Sequence, residues 1–182
     1  PKKCPACNSE VKKVGAFLYC ENVENCAPRI ISAITHFASK ACMDIEGLSE
    51  KSAELLYNEL DVKKVFQLYD LTKSDLLQLE GFKDKKADNL LNAIKVSKST
   101  TLDRFITALG IPNIGTKASR QLAKAFGSLD KLMQADLEQL LAIPDIGEIT
   151  SKGIVDYFAD ADNIDLIQNL LQRGINFALE PT

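Results

Sequence analysis

The chain has 182 residues, of which 46% are hydrophobic and 26% charged, a composition typical of a globular protein. Its apolar runs are far shorter than the roughly 20 residues that a membrane-spanning helix requires, and the first charges are not followed by a signal-peptide core. We therefore expect a cytoplasmic protein that does not bind membranes. The formal net charge is −3, which argues against a protein that coats nucleic acid by bulk attraction.

The charge is distributed unevenly along the chain. Residues 1–40 contain six Lys or Arg against three acids, whereas residues 101–182 contain seven against eleven. Any binding of nucleic acid must therefore depend on local geometry and local cations.

Four of the five cysteines lie within the first 26 residues, in the spacing C-x2-C-x12-C-x5-C. They are Cys4, Cys7, Cys20 and Cys26. The first pair forms a tight CPAC turn, and the stretch KKVGAFLYC predicts a short hairpin. Four thiolates suit Zn²⁺ in a closed tetrahedral site, which is structural and not catalytic. The sequence thus predicts a Cys4 zinc finger over residues 1–29, in which metal binding supplies on the order of 10–16 kcal/mol of folding free energy.

The cysteines could instead form two disulfides or be unrelated free thiols. Disulfides are disfavoured because there is no secretory signal, and a redox CxxC motif would need a βαβ pattern. Cys42, in the apolar stretch ACMDI, is predicted to be a small buried residue. His36 could bind zinc, but the four cysteines already complete a tetrahedron, so we expect a surface or capping role.

The remaining chain repeats one pattern four times, with a period of 32–34 residues. The centres of the copies are GLS, GFK, NIG and DIG, at 47–49, 81–83, 113–115 and 145–147. We call these the first to fourth hairpins. Each is preceded by alternating aliphatic residues, has a large apolar residue in the middle, and is followed four residues later by Ala or Ser. This pattern predicts helix, tight hairpin, helix, with the middle residue packed into the core.

The first or the third hairpin position is expected to adopt an unusual backbone conformation. Gly, Asn and Asp tolerate the left-handed region, and the copies have such residues at the first position. Glycine also occupies the third position of the last two copies, as Gly115 and Gly147.

This helix-hairpin-helix pattern offers backbone N–H groups at the N-terminus of the second helix, where an anion can bind. A DNA phosphate can dock there without its sequence being read. Lys51, Lys85 and Lys117 occupy one position in the first helical turn, where cations are mildly unfavourable. Three lysines in this register indicate an external anion, although each could be an ordinary solvated residue.

The fourth copy departs from this pattern and is expected to be the weakest contact. It has Ile149 at the lysine position and Lys152 one turn later, and both Asp145 and Glu148 would repel a phosphate. The predicted DNA-binding residues are Gly47, Leu48, Ser49, Lys51, Gly81, Phe82, Lys83, Lys85, Asn113, Ile114, Gly115, Lys117, Gly147 and Lys152.

A Cys4 finger followed by four such motifs resembles the C-terminal half of the bacterial NAD-dependent DNA ligases. The stretches that carry the resemblance are CPAC, HFASKACMDIEGL, FITALGIPNIGTKAS and LLAIPDIGEITSKGI. The resemblance implies a mostly α fold: a small finger at 1–29 and a compact domain at 30–182 with four motifs, a C-terminal helix and a linker. It also implies binding to nicked double-stranded DNA, by a monomer, in the bacterial cytoplasm at the nucleoid.

In that family, a lysine is adenylated by NAD, and Mg²⁺ takes part in nick sealing during replication and repair. The adenylation motif and the OB-fold that would precede this segment are missing, and a BRCT domain would follow it. The resemblance therefore implies a fragment, consistent with the lack of an initiator methionine, that has no catalytic residue or ligase activity of its own.

Two other functions remain open at this point. Helix-hairpin-helix motifs also occur in other DNA repair and recombination proteins, and they can serve as helix joints in a protein-interaction module. The C-terminal stretch NIDLIQNLLQRGINFAL predicts one more helix, ended by Gly174, followed by a short strand or a linker.

Overall fold

The computed structural model describes residue 3 and residues 11–14, 17–20 and 26–177. Strand β1 (Val11–Val14) pairs antiparallel with β2 (Phe17–Cys20), which confirms the hairpin predicted in KKVGAFLYC. Cys4, Cys7 and the side chain of Cys20 lie outside the described part, so the zinc site stays a prediction.

Helices form most of the rest of the described chain. They are α1 (Ala27–Ala38), α2 (Glu50–Leu60), a 3₁₀ helix (Val65–Asp70), α3 (Lys73–Leu77), α4 (Asp84–Ser97), α5 (Leu102–Ala108), α6 (Thr116–Phe126), α7 (Leu129–Met133), α8 (Leu137–Leu141), α9 (Glu148–Ala159) and α10 (Ala161–Gln172). The predicted mostly α fold is confirmed. No helix in the described ranges is long and apolar enough to cross a membrane.

The four predicted motifs correspond to four packed helix pairs: α1 with α2, α3 with α4, α5 with α6, and α8 with α9. In each pair, the small residue after the hairpin is fully buried, which lets two helices approach closely. These residues are Ala53, Ala87, Ser119 and Ser151. Helical periodicity then buries an aliphatic side chain three residues later, at Leu56, Leu90, Leu122 and Ile154. The pairs share one core, which includes Phe37 and Phe105.

The C-terminal segment pairs with and packs against the middle of the chain. Gly174 adopts φ +99° just after α10, and β4 (Asn176–Phe177) then pairs in parallel with β3 (Ser99–Thr100). The Phe177 ring packs edge-on against Phe105, with centroids 5.1 Å apart. Asn-Phe thus forms the short strand that the sequence left open. These contacts fix the last helix against the junction between the second and third motifs.

Candidate nucleic-acid interface

The four hairpins have the same backbone conformation at their first position. Gly47, Gly81, Asn113 and Asp145 all lie in the left-handed region, at φ 91°, 83°, 67° and 68°. Each hairpin is closed by the same bond, in which the N–H of the middle residue donates to the carbonyl three residues earlier. The bonds are Leu48 to Ile45, Phe82 to Leu79, Ile114 to Ile111 and Ile146 to Ile143, at 3.1–3.3 Å. The repeat seen in the sequence is therefore a repeat of backbone geometry.

The third hairpin position is extended in all four copies, which corrects the expectation for its glycines. Gly115 has φ −104° and Gly147 has φ −87°, close to the values of Ser49 and Lys83 at the same position, −85° and −107°. Any residue can adopt this conformation. A Cβ added to either glycine would meet no described atom within 4 Å. Neither backbone strain nor internal packing requires glycine there, so its effect is to leave the surface open.

The middle residues of the hairpins mainly pack inward. Leu48, Phe82 and Ile146 are buried, and Ile114 is half-buried against the core. Their N–H groups are already used within the hairpin. Leu48, Phe82 and Ile114 thus hold the hairpin in shape, and the residues on either side of them face solvent. Their contact with DNA stays a prediction.

The second helices of the last three motifs begin without a side-chain cap. No side chain in the described part accepts a hydrogen bond from the first turn of α4, α6 or α9. By contrast, Thr72, Ser128, Asp136 and Asp160 cap the starts of α3, α7, α8 and α10. The first N–H groups of a helix have no intrahelical acceptor, and here they lie beside an exposed hairpin. Such amides, together with the helix dipole, form an anion-binding site.

The first hairpin differs, because the Ser49 hydroxyl accepts a hydrogen bond from the Ser52 amide at 3.3 Å. One of the amides at the start of α2 is thereby occupied. The neighbouring Gly47 and Lys51 are exposed.

The lysines predicted from the repeat occupy equivalent places. Lys51, Lys85 and Lys117 are each the second residue of their helix, α2, α4 and α6, and all three are exposed. Lys83 and Lys152 are also exposed. Lys117 is not isolated, since its Nζ lies 3.5 Å from Oδ2 of Asp145 in the fourth hairpin. The structure thus brings the third and fourth hairpins next to each other.

Two lysines near the second hairpin were not predicted. Lys86 Nζ lies 4.3 Å from the centroid of the Phe82 ring, a cation–π contact between the first turn of α4 and the hairpin residue before it. Lys73 Nζ lies 3.6 Å from Asp84 and 3.2 Å from Asp88, and its hydrogen bond with Asp88 raises the pKa of the Lys73 ammonium. Lys73 lies on another helix, so only the packing of α3 on α4 could show that it partly neutralises these acids.

The fourth hairpin is the least basic of the four. Asp145 and Glu148 flank its exposed Gly147, and Ile149, where the other motifs have lysine, is 80% exposed. The second hairpin is the most basic, with Lys83, Lys85 and Lys86 against Glu80 and Asp84.

His36 and Cys42 stand apart from the hairpins. His36 is exposed, and its Nε2 lies 2.9 Å from the Thr107 carbonyl oxygen and 3.6 Å from the Cys42 sulfur. The imidazole therefore joins α1 to α5 at the surface. Cys42 is buried, as predicted, and burial raises the pKa of its thiol.

Two family models match the parts of the chain that carry these hairpins. One, described as a SAM-like helix-hairpin-helix tandem, covers residues 39–95. The other, described as a helix-hairpin-helix motif, covers residues 104–167. Each range contains two of the four hairpins, so the matches agree with the motif count read from the sequence.

The chain is also similar to curated bacterial proteins over nearly its whole length. It is 49% identical over 175 residues to a DNA ligase of Alkaliphilus metalliredigens, covering 96% of the chain and 26% of that protein. It is 46% identical, with the same coverages, to a DNA ligase of Clostridium botulinum. A DNA ligase of Clostridium tetani is 43% identical over 182 residues, 100% of the chain and 27% of that protein.

The chain thus spans about a quarter of the length of these relatives. The resemblance read from the motifs is confirmed at this level: the chain is similar over 96–100% of its length to a segment of proteins named DNA ligase, and both halves of its helical part match helix-hairpin-helix models.

Proposed function

We propose that this chain binds duplex DNA through backbone phosphates, without reading sequence, and is the DNA-clamping part of an NAD-dependent ligase. One observation carries the proposal: exposed hairpins place open helix N-termini beside lysines. Phosphate contacts of this kind position a protein on DNA but carry no sequence information. The chain's net negative charge is no obstacle, because the cations are concentrated at particular hairpins.

The hairpins are expected to contribute unequally. The second combines an uncapped helix with three lysines, and the third combines an uncapped helix with Gly115 and Lys117. The first has one amide occupied by Ser49. The fourth is flanked by Asp145 and Glu148 and has Ile149 at the lysine position. We therefore propose that the second and third hairpins supply most of the binding free energy.

The role of the complete protein is proposed from the resemblance of the motifs to the NAD-dependent ligases. It would seal nicks in replication and repair, with NAD as AMP donor and Mg²⁺ as a further cofactor, through upstream adenylation and OB-fold domains and a downstream BRCT domain. This chain would act as a monomeric DNA-binding segment in the bacterial cytoplasm, inactive as a ligase by itself.

A structural Zn²⁺ held by Cys4, Cys7, Cys20 and Cys26 is part of this proposal. Two observations support it: Cys20 ends β2, and Cys26 directly precedes α1. The thiolates would therefore join a small hairpin to the first long helix, in a place where a closed metal site can fix both.

Fluorescence anisotropy across a salt series tests the DNA-binding function. If four to eight phosphates are contacted, the logarithm of the affinity falls against the logarithm of salt concentration with a slope of roughly −4 to −7. Labelled duplexes of two unrelated sequences should bind equally, and a nicked duplex should be compared with an intact one. A flat salt response, or no duplex binding, contradicts the proposal and favours a protein-interaction module instead.

A further inference from the structure

The contact between Lys117 and Asp145 joins the third and fourth hairpins. Lys117 belongs to the third motif and Asp145 to the fourth, and their charged atoms lie 3.5 Å apart. Both side chains are largely exposed, at 78% and 57%. The pair therefore lies at the surface where the proposed phosphate contact of the third hairpin would form.

The carboxylate at position 145 is not needed to shape the hairpin. Gly47, Gly81 and Asn113 occupy the same position in the other copies with the same left-handed backbone. All three are uncharged, and Asn113 has φ 67°, within one degree of the 68° at Asp145. Glycine and asparagine adopt this region readily. The negative charge is thus an addition to the motif that backbone conformation does not require.

From this geometry we infer that Asp145 attenuates phosphate binding at the third hairpin, chiefly by holding Lys117. The inference rests on the proposed function. A phosphate that reaches the amides of α6 must either displace Asp145 from Lys117, which leaves the carboxylate unpaired beside it, or bind without the lysine. The first and second hairpins, which carry Lys51 and Lys85, have no acid at the position of Asp145, since both have glycine there.

As a consequence, DNA is bound more tightly by the second hairpin than by the third. The second hairpin binds without such an acid, whereas the third binds against one. Asp145 is therefore a residue that sets affinity, not one that contacts DNA.

A double-mutant cycle measures this effect. The proteins are the parent chain, Asp145→Asn, Lys117→Gln and the double variant, with Asp156→Asn as control for the loss of one negative charge. Asp156 is exposed on α9 and away from the hairpins in sequence. Circular dichroism should show all five folded, because Asn is accepted at the left-handed position and the other sites are exposed.

Binding to a nicked duplex at low salt is then compared by anisotropy. Asp145→Asn should tighten binding roughly two- to fivefold, the range expected for an exposed ion pair, and more than Asp156→Asn. In the Lys117→Gln background, most of this gain should disappear. An Asp145→Asn gain that equals the Asp156→Asn gain, or that persists in full without Lys117, overturns the inference while leaving DNA binding intact. Absence of binding by all five proteins overturns the proposed function and the inference together.

Discussion

Ser49 and Gly115 occupy the same hairpin position with similar backbone angles, φ −85° and ψ 174° against φ −104° and ψ −166°. The Ser49 hydroxyl accepts a hydrogen bond from the start of its helix, whereas Gly115 leaves the start of α6 open. The same backbone thus occurs in a self-capped form and in an open form. This difference makes it possible to test whether DNA binding requires uncapped amides without changing the stability of the fold.

Gly115→Ser should convert the open hairpin into the capped form. Ser and Gly differ by only a few tenths of a kcal/mol at a helix N-cap, so the free energy of unfolding should be unchanged or slightly higher. DNA affinity should fall about three- to tenfold, because a hydroxyl competes for the amide and a Cβ obstructs the phosphate. Thermal unfolding and anisotropy check the two outcomes. Unchanged DNA affinity would mean that the third hairpin is not an anion site.

Gly81→Val should weaken both the fold and DNA binding. Gly81 has φ +83°, where a side chain with a Cβ costs about 1–2 kcal/mol and a β-branched one more. Gly81→Asn is the matched control, since Asn113 adopts φ 67° at the equivalent position. Urea unfolding should rank the parent chain and Gly81→Asn close together and Gly81→Val lowest. Equal stability of the two variants would contradict the left-handed hairpin.

Lys85→Ala should weaken binding to every duplex sequence by a similar, modest factor. Losing one phosphate contact should reduce the magnitude of the salt slope by about one. Lys95→Ala is the control, because Lys95 is exposed at the other end of the same helix, α4. A salt slope that changes equally in both variants would show that Lys85 acts only through overall charge.

Cys20→Ser should release the metal if the four early cysteines bind zinc, since a structural site needs all four ligands. Elemental analysis of the purified protein should give one zinc per parent chain and much less in the variant. Cys42→Ala, which removes a thiol from the helical core, should keep its zinc. An equal zinc content in the parent chain and in Cys20→Ser would refute the predicted ligand set.

The sequence predicted the hairpins well because their residues report backbone conformation directly. Gly, Asn or Asp at the first position corresponds to a left-handed residue in all four copies. The glycines at 115 and 147 were misinterpreted, because glycine permits every conformation and its presence cannot show which one is used.

Contacts between separate elements of the fold could not be predicted from the sequence. The pairing of Lys117 with Asp145, or of Lys73 with Asp88, depends on how separate helices dock and not on spacing within one helix. The ion pair changes the expected role of Asp145: from the sequence it only repels phosphate at its own hairpin, whereas in the fold it also engages the lysine of its neighbour.

The most direct test of the central claim is an NMR titration of the ¹⁵N-labelled chain with duplex DNA. If backbone amides of the hairpins bind phosphate, the largest shifts should occur at residues 81–86 and 113–118, with smaller shifts at 145–149. Residues of α7 and α10, which lie outside the hairpins, should hardly respond. Large shifts confined to α7 and α10, with unchanged hairpin amides, would contradict phosphate binding by the hairpins.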